Sequence, residues 1–238
     1  MKNQLRPLSD FQGSMAQRVY ESLKDAILTL MLEPGEFLRK PDICIALGVS
    51  RSPLSEALAK LALDDLVLIV PQAGTYVAKI SMDEIREAAF LRQALELAAI
   101  SRITKHITDH QLQLVSRNLR VQEFAAKDRD HTQFYQLDTE FHEMILSFTG
   151  FRRIAGLAQS SWLHVNRARK LLLPKSGRLE ETLQEHQNII VALEARNTEL
   201  AIQQMSYHLN QIIEIMEKMY LDTPDLFQTN KGAIKWRS

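Results

Sequence analysis

The chain has 238 residues, 45% of them hydrophobic and 24% charged, which is the composition of a globular protein with room for two domains. Its 29 basic residues are balanced by 29 acidic residues, which excludes a strongly basic chain, so a surface for nucleic acid would have to be a local patch. A single cysteine excludes an intrachain disulfide framework, and the lack of any apolar run near the roughly 18 residues of a membrane span favours a cytoplasmic protein.

Residues 12–80 are predicted to form a winged helix-turn-helix domain. An apolar period of helical spacing begins at Met15 and stops at the Pro-Gly turn of LEPGE, and PDICIALGV predicts a second, short helix. The third helix, residues 50–65, has Ser52 as its predicted N-cap and Pro53 at its first position. After it, LVLIV and TYVAKI flank PQAG, which predicts two short strands joined by a turn. Three helices followed by a small β-hairpin make up a winged helix-turn-helix.

From residue 81 onward the pattern is helical and carries no strand signal. Apolar residues at helical spacing predict six helices, at residues 82–104, 109–127, 131–148, 151–173, 178–195 and 198–220. The predicted fold is therefore mainly α, with an all-α six-helix bundle at residues 81–221 that follows the winged domain. The polar residues 222–238 are predicted to form a flexible tail.

An acid and an imidazole lie on the apolar face of the third bundle helix. In LDTEFHEMIL, Asp138 and His142 are four residues apart, along the stripe that Phe134, Phe141 and Ile145 define. Burying a charge without a partner costs on the order of several kcal/mol, so the sequence predicts a partner for Asp138 inside the bundle.

Two further histidines lie on inward faces of later helices. His186 falls on the apolar stripe of the helix at 178–195, and His208 lies beside Met205 and Ile212 in the last helix. Each alone could be a hydrogen-bonded core residue. Taken with Asp138 and His142, they predict one shared site for a divalent cation, because imidazole and carboxylate are its usual ligands. Three imidazoles favour zinc or nickel, whereas the aspartate leaves iron and manganese open.

Arg92 lies beside the apolar face of the first bundle helix. Its guanidinium could grip a ligand carboxylate with two hydrogen bonds, or it could form a surface pair with Glu96 one turn later. Asn166 and Arg169 are weaker candidates for ligand contacts, since the NRARK segment is typical of a solvent-exposed face.

Together these segments resemble the GntR family of bacterial transcription regulators, in the subfamily with a FadR-type C-terminal ligand-binding domain (FCD). The resemblance covers residues 12–220. LEPGEFL, LGVSRSPLSEAL and AGTYVA are similar to the turn, recognition helix and wing, and LRQALELAA, LDTEFHEMIL and EHQNIIVALEARN are similar to effector-site segments. A bundle without an inserted helix resembles the VanR-like branch.

The resemblance implies a role for each candidate residue. Asp138, His142, His186 and His208 occupy the positions of the metal ligands, and Arg92 occupies that of the arginine that binds the effector carboxylate. We add Asn166 as a candidate effector contact. The implied protein is a cytoplasmic homodimer that binds double-stranded operator DNA and a small carboxylate effector.

The predicted DNA-binding surface departs from the family pattern. Pro41 and Ser55 stand where members usually have basic residues, and the wing turn, which is typically basic, reads Pro-Gln-Ala before Gly74. Fewer charges predict weaker and less salt-dependent DNA binding. The candidate DNA contacts are Arg39, Lys40, Ser50, Arg51, Ser52, Ser55 and Gly74, with Lys60 as a further basic residue.

The function that we expect is transcription regulation and not catalysis. One alternative is a metal-dependent hydrolase, since a metal with open positions could activate water; the sequence shows no obvious general base beside the ligands, and a winged domain has no role in hydrolysis. A di-iron bundle would need Glu-x-x-His pairs, which the bundle lacks. The other alternative is a protein-binding adaptor that has lost DNA binding. This alternative is motivated by Pro41 and Ser55, and by the balanced charge of the N-terminal domain.

Overall fold

The computed structural model describes residues 5–172 and 177–228. Within that part of the chain the structure forms two compact units, one of residues 5–82 with residues 220–228, and the other of residues 83–219. The first unit contains three helices and a small hairpin and the second is helical, so the mainly α fold predicted from the sequence is confirmed.

The first unit is a winged helix-turn-helix. Its elements in chain order are α1 (Met15–Leu28), α2 (Lys40–Leu47), α3 (Arg51–Leu63), β1 (Val67–Val70) and β2 (Gly74–Val77). The strands pair antiparallel, with Val67 opposite Val77 and Val70 opposite Gly74. The apolar periods of α1 and α3 meet in its core, where Leu23 and Leu61 are fully buried.

Helix α3 begins earlier than predicted. Ser50 has an extended backbone and is the N-cap residue, whereas Arg51 is already helical, so the prediction of Ser52 as N-cap is wrong. The hydroxyl of Ser52 instead donates to the Glu56 carboxylate at 3.3 Å. As a consequence Arg51 lies in the first turn of the helix.

The second unit is an all-α bundle of seven helices among the described residues. They are α4 (Met82–Thr104), α5 (Asp109–Lys127), α6 (His131–Ser147), α7 (Arg152–Ser161), α8 (Leu163–Leu172), α9 (Arg178–Glu194) and α10 (Thr198–Asp222). The predicted helix at 151–173 is divided at Trp162, which takes a turn conformation. The interruption is one residue long, and the helical hydrogen bond from Trp162 N–H to Ala158 O, at 2.9 Å, is kept across it. None of the described helices is long and apolar enough to cross a membrane.

The segment after α10 differs from the predicted flexible tail. Residues Pro224–Leu226 form a 3-10 helix, and Phe227 is 1% exposed. Ile80 N–H donates to Leu226 O at 3.1 Å, and Gln228 N–H donates to Ile80 O at 2.8 Å. The segment is ordered because it carries a large apolar side chain that the winged unit buries. Residues 229–238 of the predicted tail lie outside the described part of the chain.

Candidate functional sites

Four residues from three helices meet in the interior of the bundle. Asp138 and His142 come from α6, His186 from α9 and His208 from α10. One ligand atom of each lies within 4.8 Å of those of the others, and all four side chains are buried. The structure therefore brings together the whole set that the sequence singled out.

Each histidine is held by an acceptor at its Nδ1 atom. The pairs are His142 with Glu96 Oε2 at 2.6 Å, His186 with Gln122 Oε1 at 2.8 Å, and His208 with Glu185 Oε2 at 2.6 Å. An oxygen acceptor requires that Nδ1 carries the proton, which leaves the Nε2 lone pair of each ring for another partner. This is the tautomer in which histidine binds a metal through Nε2.

The three Nε2 atoms converge on one point beside Asp138. His142 Nε2 lies 3.1 Å from His208 Nε2, and His186 Nε2 lies 3.5 Å from Asp138 Oδ1. Nε2 of His186 is buried and has no hydrogen-bond partner among the described residues. Facing lone pairs repel each other, and a cation between them removes the repulsion. The donor set therefore fits a divalent metal ion.

The titration properties of the cluster agree with this geometry. Burial, followed by the neighbouring rings, lowers the pKa of His186 and of His208 well below the usual value, so both rings are neutral at pH 7. Burial raises the pKa of Glu96, but the charge of Arg92 and the hydrogen bonds from Arg92 and His142 outweigh burial and hold that pKa far below its usual value. The carboxylate that orients His142 is thus ionised.

A small cavity adjoins the cluster. Its volume is about 30 Å³, and its polar lining consists of Arg92, Asp138, Arg169, Arg178, Thr182 and His208. A buried water needs roughly 10–15 Å³ by the same measure, so the cavity, which is partly open to solvent, has room for about two waters or for part of a short ligand. Three guanidinium groups in its wall favour an anion.

Arg92 reaches this cavity, and its pair with Glu96 is not a surface pair. The Nε–Oε1 distance is 2.6 Å, and the two side chains are 4% and 0% exposed. One guanidinium nitrogen of Arg92, Nη2, is buried without a hydrogen-bond partner among the described residues. The prediction of a surface pair with Glu96 is therefore wrong, because the pair is buried, whereas the predicted contact with a ligand carboxylate stays a prediction.

The NRARK segment is not the solvent-exposed face that its composition suggested. Arg167 and Arg169 of α8 are 2% and 8% exposed. The Arg169 guanidinium contacts Asp138 Oδ2 and donates to Asn166 Oδ1 at 3.1 Å. Burial, with the charge of Arg92, lowers the pKa of Arg169 to about 9, which leaves it cationic at pH 7. Among the described residues Asn166 does not line the cavity, and it accepts its hydrogen bond from Arg169, which does.

The candidate DNA contacts lie on the surface of the winged unit. Arg39, Lys40, Ser50, Arg51, Ser52 and Ser55 are all exposed, at the beginnings of α2 and α3. Among the described residues no ion pair engages the three basic ones, so their charge is available to a partner. The charge of Lys60 is already engaged within the unit, because its Nζ donates to Gln17 Oε1 at 2.9 Å and lies over the Tyr20 ring.

Gly74 shapes the wing. Its φ of +124° lies in a region that side chains disfavour, and a Cβ atom there would collide with the ring of Phe37. Gly74 is partly buried, and the wing-turn residues Pro71, Gln72 and Ala73 are exposed and uncharged.

Comparisons with known proteins agree with this architecture. The bacterial regulatory proteins of the gntR family match residues 15–77, and the FCD domain matches residues 87–211. The HTH-type transcriptional repressor RspR of Escherichia coli (strain K12) is 30% identical over 211 residues, which are 89% of this chain and 92% of the relative. The chain belongs to the GntR family. It is a DNA-binding transcription regulator of the GntR type with an FCD domain.

Further proteins resemble this regulator in sequence or structure. The gluconate operon transcriptional repressor of Bacillus subtilis (strain 168) is 25% identical over 219 residues, with 88% of each chain covered. A putative GntR regulator from Rhodococcus sp. RHA1 superposes with a TM-score of 0.72 at 29% identity, over 89% of this chain and 99% of that one. E. coli McbR/YncC has a TM-score of 0.72 at 21% identity and covers 88% of this chain and 100% of its own, which shows the shared fold.

Sequence reasoning missed part of the site of this GntR-family protein. Gln122, Glu185, Arg178 and Thr182 had not been singled out, and Glu96 had been considered only as a partner of Arg92. A general signal was available, because a metal-binding histidine nearly always donates its other ring N–H to an acceptor. That rule predicts three acceptors without saying which residues supply them.

Proposed function

We propose that this regulator is a homodimer whose affinity for a pseudo-palindromic operator is controlled by a small carboxylate metabolite, bound at a divalent metal site in the FCD domain. The observation that carries the proposal is the convergence of three histidine Nε2 atoms and one carboxylate, with every Nδ1 atom held by an acceptor. Such orientation of each ring is the arrangement expected around a bound metal.

Asp138, His142, His186 and His208 would hold the ion, and three imidazoles favour zinc or nickel. When bound, a divalent cation supplies positive charge and open positions for a carboxylate oxygen. Arg92 stands beside those positions with an unpaired Nη2 donor, which suits it to bind the same carboxylate. Asn166 would act on the effector indirectly, by orienting Arg169.

The helices that carry the site also lead to the winged unit. Arg92 lies on α4, which begins at Met82, and His208 lies on α10, which ends at Asp222 inside the winged unit. An effector releases DNA only if it binds the DNA-incompetent arrangement more tightly than the competent one. RspR and the gluconate operon regulator are named repressors, and we propose that this chain also represses and is released by its effector.

On the DNA, the exposed beginning of α3 would enter the major groove. Arg51 is suited to read guanine, and Arg39, Lys40, Ser50, Ser52 and Ser55 to contact phosphates. Two winged domains related by a dimer axis would bind the two half-sites. We further propose a place in the VanR-like branch, since the described bundle divides one predicted helix and inserts no other.

Regulation fits the cluster better than hydrolysis. Within residues 5–172 and 177–228, Glu96 and Glu185 contact the site histidines, and each is already bonded to an arginine as well as to a ring. Neither is therefore placed to act as a general base.

The test is elemental analysis of purified wild-type protein beside His142→Ala and His186→Ala, joined to a mobility-shift assay on DNA from around its own coding region. We expect about one metal per chain in the wild type, loss of metal in both variants, and a shift that carboxylates reverse only for metal-loaded protein. Wild-type protein that takes up no metal after divalent ions are added back would contradict the proposal.

A further inference from the structure

The helix that carries His208 ends inside the winged unit. α10 runs from Thr198 to Asp222, and its residues from 220 onward belong to that unit. Its upstream part lies in the core of the bundle, where Met205 and Met216 are both 0% exposed. One continuous helix therefore joins the candidate metal centre to the winged unit.

The segment after α10, residues 223–228, is bonded to the chain at Ile80, and we call this segment the strap. Ile80 N–H donates to Leu226 O at 3.1 Å, and Gln228 N–H donates to Ile80 O at 2.8 Å. Ile80 and Phe227 thus pair as residues of neighbouring parallel strands do. The strap satisfies both main-chain groups of Ile80, which fixes the backbone at that residue.

A buried aromatic side chain anchors the strap. Phe227 is 1% exposed and Ile80 is 4% exposed. The Phe227 ring packs edge-on against the ring of Tyr220, with the centroids 5.1 Å apart. Because Tyr220 belongs to α10, the strap is held by the end of that helix as well as by Ile80.

Ile80 lies in the linker through which the winged unit continues into the bundle. β2 ends at Val77, and α4, which carries Arg92, begins at Met82. A linker alone leaves relative motion of two domains as the default. Since the strap holds the linker from the end of α10, the beginning of α4 and the end of α10 are joined at Ile80.

We propose that the strap couples the metal centre to the winged unit, so that a bound metal stabilises the winged unit only while Phe227 and Gln228 hold Ile80. This inference rests on the proposed function and names the element through which metal and effector binding reach the DNA-binding surface. Phe227 acts through Ile80 and is therefore a positioning residue.

The experiment measures amide hydrogen exchange of full-length, metal-free protein before and after zinc is added. Zinc at 100 times its dissociation constant should slow the exchange of bundle-core amides by up to about 100-fold, because a ligand stabilises the folded state that it binds. In the wild type, the amides of α3 and of the hairpin should slow as well, by about tenfold. All seven histidines lie at residues 106–208, so the winged unit offers zinc no histidine of its own.

Two variants release the strap in different ways. Phe227→Ala removes the buried ring. Gln228→Pro removes only the N–H that bonds to Ile80 O, and Phe227 already has the extended backbone that a residue before proline prefers. Both variants should lose the zinc-induced slowing in the winged unit, while zinc uptake and the slowing in the bundle stay unchanged.

Each variant has a matched control that should keep the zinc effect in both units. Gln228→Ala keeps the N–H and removes only the side-chain bond to Lys79 O at 3.3 Å. Phe227→Leu keeps an apolar side chain at the anchor. Leu221→Ala changes a residue of α10 that is 79% exposed. A third control, His186→Ala, removes a candidate ligand and should abolish the zinc effect in both units.

A strap that only stabilises the winged unit gives a different result. Phe227→Ala and Gln228→Pro would then speed exchange there, but zinc would still slow it as much as in the wild type, and the inference would be overturned. It would also be overturned if zinc slowed exchange in the wild-type bundle and not in the winged unit. Both outcomes leave the metal site standing, whereas protein that takes up no zinc refutes the proposed function itself.

A metal-free comparison tests the strap whether or not zinc binds. Met205→Ala opens a cavity in the bundle core and should speed exchange in the bundle. With the strap intact, exchange in the winged unit should rise with it by about tenfold, and in a Phe227→Ala background Met205→Ala should leave that exchange unchanged. An equal effect of Met205→Ala on the winged unit in both backgrounds, or no effect in either, would overturn the inference.

Discussion

The Nδ1 atom of His186 lies 2.8 Å from Oε1 of Gln122, and Gln122 in turn donates through Nε2 to Asn118 Oδ1 at 2.6 Å. The second bond fixes which end of the amide faces the ring. A residue of α5 therefore sets the direction of a histidine of α9, although it contributes no atom to the cluster itself.

Gln122→Leu should weaken metal binding. The substitution keeps the volume and removes the acceptor that orients His186, and the loss of such a partner typically lowers metal affinity by about 10- to 100-fold. Competition with a chelating indicator measures this affinity. Gln113→Leu is the control, because Gln113 is exposed on the same helix. Equal affinities of the two variants would contradict the role of Gln122.

Chelation should destabilise the FCD domain of the wild-type protein. A ligand that binds only the folded state stabilises it by about 4 kcal/mol at a thousandfold excess over its dissociation constant. Thermal denaturation before and after chelation should therefore show a lower Tm without metal. His186→Ala should have the same Tm in both conditions, and a chelator effect of equal size in that variant would point to a metal elsewhere.

Arg51→Ala should weaken operator binding by about tenfold or more, because a guanidinium that reads guanine contributes roughly 1–3 kcal/mol of discrimination. A mobility-shift titration measures the change. Lys60→Gln lies on the same helix but removes a charge engaged with Gln17 and Tyr20, so its effect should be much smaller. If the two variants bound DNA with the same affinity, the proposal that the first turn of α3 contacts the DNA bases would be wrong.

Gly74→Ala should disrupt the wing and reduce DNA binding. The added Cβ meets the Phe37 ring and the backbone has a positive φ, whereas in Gly48→Ala only the backbone is strained, since nothing lies within 4 Å of that Cβ. We expect Gly48→Ala to cost about 1–3 kcal/mol of stability and Gly74→Ala to cost more. Chemical denaturation measures the free energy of unfolding of both variants. Equal values for Gly74→Ala and Gly48→Ala would show that a Cβ atom at residue 74 does not collide with the Phe37 ring.

Phe227→Ala should destabilise the winged unit by about 3–5 kcal/mol, the usual range for removing a fully buried phenylalanine ring. Its ring is 1% exposed and contacts Tyr220 edge-on with a centroid distance of 5.1 Å. Leu221→Ala is a fitting control because Leu221 is 79% exposed. Denaturation monitored on the full chain should separate the two, and equal midpoints would mean that the segment around Phe227 does not stabilise the unit.

Local patterns were sufficient for most elements of the fold, although they missed the division at Trp162 and the 3-10 helix at Pro224–Leu226. The apolar period of α1, the Pro-Gly turn after it and the PQAG turn each act over a few residues, so helix, turn and hairpin follow from the chain itself. The pair Asp138 and His142 was visible for the same reason, since residues four apart share one face of a helix.

The surroundings of the candidate metal centre depended on packing between helices. Glu96, Gln122 and Glu185 come from α4, α5 and α9, and no spacing in the sequence relates them to the histidines that they hold. Arg167 and Arg169 were predicted to be exposed because the NRARK segment is polar along its own helix. In the structure, carboxylates of other helices offset the cost of burying both side chains. Phe227 was assigned to a tail because its short polar neighbourhood shows no period, and only the tertiary contact with Ile80 orders it.

By itself the sequence determined the element order, the inward-facing positions of Asp138 and the three histidines, and the exposed basic residues of the winged unit, because these depend on periodicity and on residue type. Tertiary structure decided which acceptor orients each ring, which arginines are buried and paired, and which donors are left for a ligand. Those outcomes depend on distances between side chains of different helices, and long-range packing of the whole bundle sets them.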